Sequence, residues 1–161
     1  MEKFSNFKLK FKKINEQQNI LRPTIGMDEI PMLEKSDVAK FISKLFESRE
    51  MAHVFHLQVN GEMGSHATHT ALGEYYDSLL DLIDELTEVY QGQYGIVENY
   101  DVIDTSSAKD RQYIPYFESL CEFIKSNRIS SFNQEDTHIQ NLIDEIVALT
   151  YRLLYKLKFN K

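Results

Sequence analysis

Histidine and carboxylate side chains gather in one part of this sequence at spacings that suit metal coordination. Four of the five histidines lie within residues 50–108. They form two pairs three residues apart, His53 with His56 and His66 with His69, on either side of a short turn. Imidazole and carboxylate together supply the donors that suit Fe(II), Mn(II) or Zn(II). The spacing therefore indicates a candidate metal site around this turn.

The same stretch has no basic residue to balance its acids. Residues 50–108 contain no Lys or Arg and eleven of the 25 acidic residues. These acids are Glu50, Glu62, Glu74, Asp77, Asp81, Asp84, Glu85, Glu88, Glu98, Asp101 and Asp104. A surface that served solubility alone would mix both signs, so the pattern favours attraction of cations. An ordinary solvated helix face is the alternative interpretation.

Most of these acids belong to one predicted helix. At about 100 degrees per residue, several of its polar residues fall on one line, opposite an apolar stripe. The predicted stripe consists of Leu72, Tyr76, Leu79, Ile83, Leu86 and Tyr90. The line contains His66, Gly73, Asp77, Asp84 and Glu88, with His69 and Asp81 beside it. This helix therefore presents a face of carboxylates and imidazoles.

Two Glu-x-x-His pairs suggest a second kind of metal site. Glu50 with His53 and Glu135 with His138 match the motif that places two ligands inside a di-iron bundle. Glu118 or Glu122 would have to supply the partner carboxylates. Capping or solvated roles for Glu135 and His138 are favoured over this site.

Hydrophobic periodicity predicts an all-α fold with four helices. The pattern places them at residues 36–59, 65–91, 107–128 and from an Asn133 cap onward. Pro115 must either kink the third helix or lie in the first turn of a shorter one that follows a separate helical turn.

Connection lengths then predict how the helices are joined. The first and last connections are short, whereas the middle one, about 15 residues, can travel back along a bundle. This predicts a ferritin-like four-helix bundle with one long crossover; an up-down-up-down bundle is the alternative. Residues 1–35 are predicted to form an extended N-terminal arm, and residues 36–161 the bundle domain. The alternation of Phe and Lys in 7–12 suits a strand added to a neighbour.

Other features limit the function classes. The sequence has no P-loop, no nucleotide-binding glycine motif and no nucleophile elbow, so hydrolase and kinase functions have no support. No apolar run reaches the length of a membrane span and no signal peptide is evident, so we expect a cytoplasmic protein without a membrane partner. Cys121, the single cysteine, lies among apolar residues and is predicted to be core.

A longer pattern around these residues resembles the Dps mini-ferritins. It consists of His56-Leu57-Gln58-Val59-Asn60-Gly61, then His69, Leu72, Glu74, Tyr76, Asp84-Glu85 and Glu88. The resemblance implies iron ligands His56 and His69 from one subunit with Asp84 and Glu88 from its two-fold mate. It also implies a hollow homo-oligomer that oxidises iron with peroxide, a ferroxidase.

The chain departs from this family at three places. Gly73 stands where the family keeps an aspartate ligand four residues after its second histidine, and Glu74 or Asp77 is the possible substitute. Leu57 replaces a tryptophan, and the turn between His56 and His69 is one residue longer.

Three other blocks are similar to small phage-encoded proteins of unassigned function. They are Ala52-His53-Val54-Phe55-His56-Leu57, Ala71-Leu72-Gly73-Glu74-Tyr75-Tyr76-Asp77 and Glu88-Val89-Tyr90-Gln91-Gly92-Gln93-Tyr94-Gly95. This similarity implies an alternative function: a phage-encoded structural or interaction protein that keeps the bundle without ferroxidase chemistry. Its location would be the host cytoplasm or the virion.

The two ends of the chain are basic. Five lysines lie in the first thirteen residues, and Arg152, Lys156, Lys158 and Lys161 lie in the last ten. In an oligomer, such tails would give weak, non-specific DNA binding that weakens steeply with salt. The preferred alternative is an arm that docks on its own bundle.

Overall fold

Four α-helices make up most of the chain that the structure describes. The computed structural model describes residues 35–60 and 64–160. The helices are α1 (Lys35–Gln58), α2 (His66–Tyr94), α3 (Tyr113–Ser131) and α4 (Thr137–Phe159), with a short 3₁₀ helix at Ser106–Asp110. These residues contain no strand, so the all-α prediction is confirmed for them. The predicted arm lies outside the described residues except for Lys35, which begins α1.

Helix α1 packs against α2 and α3 and runs opposite to both. His56 near the end of α1 stacks on His69 near the start of α2. The Ser131 hydroxyl at the end of α3 donates to the carbonyl of Asp37 at the start of α1, at 3.3 Å. Both contacts join the end of one helix to the start of the other.

Helix α4 packs against the same two helices, also in the opposite direction. Asp136, just before α4, accepts a hydrogen bond from Gln93 at the end of α2, at 3.1 Å. Arg128 near the end of α3 forms a 2.7 Å ion pair with Asp144 early in α4. Helices α2 and α3 therefore lie diagonally across the bundle and run in the same direction.

Residues 95–112, here called the crossover, connect α2 to α3. The crossover contains the 3₁₀ helix, and Pro115 lies in the first turn of α3. Of the two predicted arrangements around Pro115, the structure has the shorter helix preceded by a separate turn. Proline fits there because its missing N–H would have no partner in a first helical turn.

The predicted start of the last helix is wrong by about one turn. The Asn133 side chain accepts from the backbone N–H of Glu135 at 3.1 Å, which makes a local turn rather than a cap. Helix α4 begins at Thr137, after Asp136. The predicted start of α2 at residue 65 is right to within one residue, since the helix begins at His66 and Ser65 caps it by accepting from Thr68 N–H at 3.3 Å.

The core is built on one stripe of α2, which is buried at Thr68, Ala71, Leu72, Tyr75, Leu79, Ile83, Leu86 and Tyr90. The sequence pattern placed Tyr76 in this stripe, but Tyr75 is fully buried and Tyr76 only half-buried. Both positions fit helical spacing from Leu72, so periodicity alone does not separate them. Among the residues described, no helix combines the length and apolar character that crossing a membrane requires.

Tyr75 contacts all three other helices. Its hydroxyl lies 3.4 Å from the Ser48 hydroxyl of α1 and 3.4 Å from the Thr150 hydroxyl of α4. Its ring packs edge-on against Phe117 of α3, with centroids 5.1 Å apart. Burial raises the pKa of the Tyr75 phenol from 10.0 to about 12.

We predict that the free energy of unfolding falls less steeply above pH 10 when Tyr75 is replaced with Phe. Above pH 10 the unfolded chain ionises this phenol first, so the free energy of unfolding falls until the folded-state pKa is reached. A shift of this size corresponds to about 3 kcal/mol lost between pH 10 and 12. At neutral pH the substitution should cost under about 1.5 kcal/mol, because both hydrogen bonds are long.

Urea unfolding of wild type and Tyr75→Phe between pH 7 and 11 measures this difference. Tyr155→Phe, a substitution at an exposed tyrosine, is the matched control. Parallel pH profiles for wild type and Tyr75→Phe would contradict the prediction.

Candidate functional site

Four imidazole rings form a row where α1 ends and α2 begins, here called the histidine row. Ring centroids are 6.5 Å apart for His53 and His56, 3.6 Å for His56 and His69, and 6.4 Å for His69 and His66. The two pairs come from adjacent turns of antiparallel helices. The i, i+3 spacing places both members of each pair on the same side of their helix.

The two central histidines hold each other through their backbones. His56 Nδ1 lies 2.8 Å from the carbonyl oxygen of His69, and His69 Nδ1 lies 3.1 Å from the carbonyl oxygen of His56. A carbonyl oxygen only accepts, so each Nδ1 must carry the proton and donate it. In the neutral rings Nε2 then carries the lone pair. Metal-binding histidines are commonly oriented in this way by a carbonyl at the other ring nitrogen.

This pair also has a structural role. The carbonyl of His56 lies in the last turn of α1, where carbonyls lack helical partners. It receives the His69 imidazole at 3.1 Å and the backbone N–H of Val59 at 3.4 Å. The imidazole contact therefore helps to end α1 and fixes α2 against it, whether or not a metal binds.

Gly73 provides the space that the His56 ring occupies. A Cβ atom added at Gly73 would lie 3.3 Å from His56 Cε1 and 3.4 Å from Nδ1. Such contacts are tight, so a side chain here requires the ring to move by a few tenths of an ångström. The position to which the Dps resemblance assigns an aspartate is therefore partly filled by an imidazole.

Tyr76 forms one wall of the histidine row, a role that the sequence did not reveal. Its ring centroid lies 4.7 Å from that of His53 and 5.4 Å from that of His56. Because Tyr76 fits the apolar stripe of α2, its spacing suggested a core residue. Leu79, three residues after Tyr76, is buried, whereas Leu80, four residues after it, is only half-buried, so Tyr76 lies at the edge of the stripe.

The predicted carboxylate ligands lie elsewhere on α2. Asp84 is 15 residues beyond His69 in the sequence, which is about 22 Å along a helix axis. Asp77, Asp84 and Glu88 are exposed, and Glu74 forms an ion pair with Lys156. Within residues 35–60 and 64–160, no three His, Cys, Asp or Glu side chains form a group that could hold a metal. The predicted ligands therefore do not come together within the described chain.

Asp84 and Glu88 line an open groove of about 600 Å³ between α1, α2 and the crossover. Asp101 adds a third carboxylate, and Phe46 and Tyr100 form an apolar side with ring centroids 6.4 Å apart. No Lys or Arg lines this acidic groove among the described residues. The groove therefore has an uncompensated negative charge next to aromatic rings.

The Glu-x-x-His pairs do not converge inside the bundle. Glu50 pairs with Arg49, and His138 Nε2 lies 2.9 Å from the Gln93 side-chain oxygen. Glu118 and Glu122 form ion pairs with surface lysines. The buried carboxylate of the described chain, Asp136, accepts hydrogen bonds from Gln93 and Tyr94.

The comparisons place much of this site within one family match. Residues 56–157 match the model of a family described as a family of unknown function (DUF5856). The match begins at His56 and includes His69, Gly73 and all of α2. No curated protein and no solved structure gives a significant match to the chain.

We predict that a side chain at Gly73 is energetically coupled to the His56 ring. In an open helix position Gly→Ala stabilises by up to about 1 kcal/mol. At Gly73 the contact with His56 should cancel much of this gain, and His56→Ala should restore it. A double-mutant cycle by urea unfolding measures the coupling.

Gly92→Ala is the matched control, because a Cβ there meets nothing within 4 Å. It should show no coupling to His56→Ala. A Gly73→Ala gain of the same size in both backgrounds would show that the ring moves freely.

Proposed function

The chain belongs to the DUF5856 family, and we propose from its own residues that it binds Fe(II) between two subunits of a ferritin-like homo-oligomer. The ligands are His56 and His69 from one subunit and Asp84 and Glu88 from another. The metal is the substrate, and oxidation with peroxide follows from the Dps resemblance rather than from any contact in one subunit.

The reciprocal bonds between His56 and His69 are the observation that carries this proposal. Each Nδ1 is committed to a carbonyl oxygen, at 2.8 Å and 3.1 Å. Each neutral ring therefore offers Nε2 as its donor atom, with its orientation fixed before a metal arrives. A preorganised pair of nitrogen donors is half of a typical transition-metal site.

The separation along α2 supports a site shared between subunits. With about 22 Å of helix between His69 and Asp84, one copy cannot bring both to the same ion. In an antiparallel contact between two α2 helices, the histidine end of one copy meets the carboxylate end of the other. Such a two-fold contact would form two equivalent sites.

The charge of the acidic groove supports a cation as the ligand. Asp84 and Glu88 have no ion pair with a described Lys or Arg, whereas Glu74 is engaged by Lys156. In the antiparallel contact, a cation bound between the carboxylates of one copy and the imidazoles of the other would offset this negative charge. Asp77, exposed one turn beyond Gly73, is the better substitute for the missing acid.

Ferritin-like connectivity is supported by the packing of the helices. Antiparallel neighbours α1–α2 and α3–α4, with α2 and α3 diagonal and parallel, require a connection that returns along the bundle. The crossover has the length for it. This arrangement leaves one face of α1 and α2 available to a second subunit.

Anaerobic Fe(II) titration, followed by addition of peroxide, tests the proposed site. We expect about one tightly bound Fe(II) per subunit, lost in His69→Ala and in Asp84→Ala. Mixing these two variants should restore part of the binding, because a mixed pair of subunits still forms one intact site. Glu85→Ala, which removes an adjacent exposed carboxylate, is the control and should bind as wild type does.

Unchanged binding in His69→Ala and Asp84→Ala would remove the proposal. Loss in both variants without recovery on mixing, in samples where native mass spectrometry shows that the subunits have exchanged, would contradict a site shared between subunits.

A second candidate function is a structural or interaction protein, as the similarity to phage proteins implies. The observation that favours it is the exposure of apolar side chains on the crossover, where Val102 is 91% exposed. If residues 1–35 clasp a neighbour, their deletion should reduce the number of subunits in the assembly, obtained by dividing the native mass from light scattering by the subunit mass. An unchanged number of subunits would remove this support.

DNA binding through the termini stays a prediction. Lys156 and Lys158 at the end of α4 form ion pairs with Glu74 and Glu118, which reduces the charge available to phosphates. The other basic tail lies outside the described residues.

A further inference from the structure

A groove with exposed aromatic side chains runs between α3 and α4, on helices that the proposed iron site does not use. It has a volume of about 780 Å³. Tyr151, Tyr155 and Phe159 of α4 line one side, and Pro115 and Cys121 of α3 lie opposite. Tyr155 is 62% exposed and Phe159 69% exposed. This set is called the aromatic groove below.

The aromatic side chains form one continuous surface. The rings of Tyr155 and Phe159 lie 5.4 Å apart, and Tyr151 is one helical turn before Tyr155. Single exposed apolar residues are common, but a contiguous apolar patch beside a cavity is typical of an interaction site. Tyrosine and phenylalanine are also enriched at the centres of protein interfaces.

The rim of the aromatic groove is electrically neutral. Glu118 pairs with Lys158 at 2.6 Å, and Glu122 pairs with Lys125 at 2.9 Å. The chain as a whole has a net charge of -7, and residues 50–108 have no basic residue. The acidic face of residues 50–108 therefore disfavours contact with its own copy, whereas this rim offers both signs and can pair with itself.

We propose that the aromatic groove is a metal-independent contact between two copies of this chain. In a two-fold contact the same patch meets itself, so it must be self-complementary in charge and shape. The two acid–lysine pairs satisfy the first condition. Tyr155 and Phe159 project from one copy and the groove beside them receives the same residues of the other.

This contact goes beyond the proposed function, since it uses α3 and α4 rather than α1 and α2. The two contacts also differ in what they need. The iron site draws two acidic faces together through a cation, whereas the aromatic groove needs no ion. A chelator such as EDTA should therefore abolish the contact at the iron site and leave the contact at the aromatic groove intact.

Sedimentation equilibrium of the full chain in EDTA, from about 1 to 100 μM, tests the proposal. We expect a monomer–dimer equilibrium whose Kd rises at least about tenfold in Tyr155→Glu and in Phe159→Glu. Ile129→Glu adds the same charge at a residue of α3 that is 59% exposed and lies outside the groove, and it should leave Kd unchanged. His69→Ala should also leave it unchanged, which distinguishes this contact from the iron site.

Cys121 provides an independent readout. It is the single cysteine of the chain, lies on the wall of the groove and is 2% exposed. Its reaction with a thiol reagent in EDTA should slow as the protein concentration rises, and this dependence should disappear in Tyr155→Glu. Circular dichroism establishes that each variant keeps its helices, and Phe159→Glu decides the result if Tyr155→Glu does not.

A monomer at 100 μM, about the highest concentration of this series, would overturn the proposal. So would a dimer that both groove variants leave intact, or one that Ile129→Glu weakens equally.

Discussion

The bundle depends on the burial of one side of α2. On that side, Tyr75 contacts each of the other three helices. Its hydroxyl reaches Ser48 and Thr150, and its ring packs on Phe117. A phenol removed from water needs polar partners at one end and apolar packing around the ring. Because each partner belongs to a different helix, these needs specify how α1, α3 and α4 are placed around α2. The position of the histidine row follows from this placement.

Much of the helical structure could be predicted from hydrophobic periodicity. The four helices and the start of α2 near Ser65 follow from apolar spacing and turn residues. The choice between Tyr75 and Tyr76 does not, because both satisfy the helical period and only tertiary packing separates them. The start of α4 was misplaced for a related reason. Asn133 stabilises a turn as readily as a helix start, since its side chain can bond to nearby backbone in either case.

The candidate site was predictable only as far as local geometry determines it. Two i, i+3 pairs beside a short turn must come near each other, so the meeting of His56 and His69 follows from their spacing. Their reciprocal bonds to each other's carbonyl depend on the exact approach of two helices, which spacing does not specify. The role of Gly73 is equally hidden, because a glycine in a helix carries no sign of the ring that fills its space. Whether Asp84 and Glu88 complete a site depends on a second chain, which the order of residues in one chain does not encode.

The crossover has a consequence for how the protein can be divided. It joins two helical hairpins, each of which keeps its own short turn, and although Val97 and Ala108 are buried, Val102 between them is 91% exposed. The hairpins adhere through the α1–α3 and α2–α4 interfaces, not through this covalent link. A chain opened near Val102 would therefore give two separately encoded halves, each with an apolar face that the other must cover. Halves of this kind can be fused to other proteins, and their reassembly would then report that the fused proteins have met.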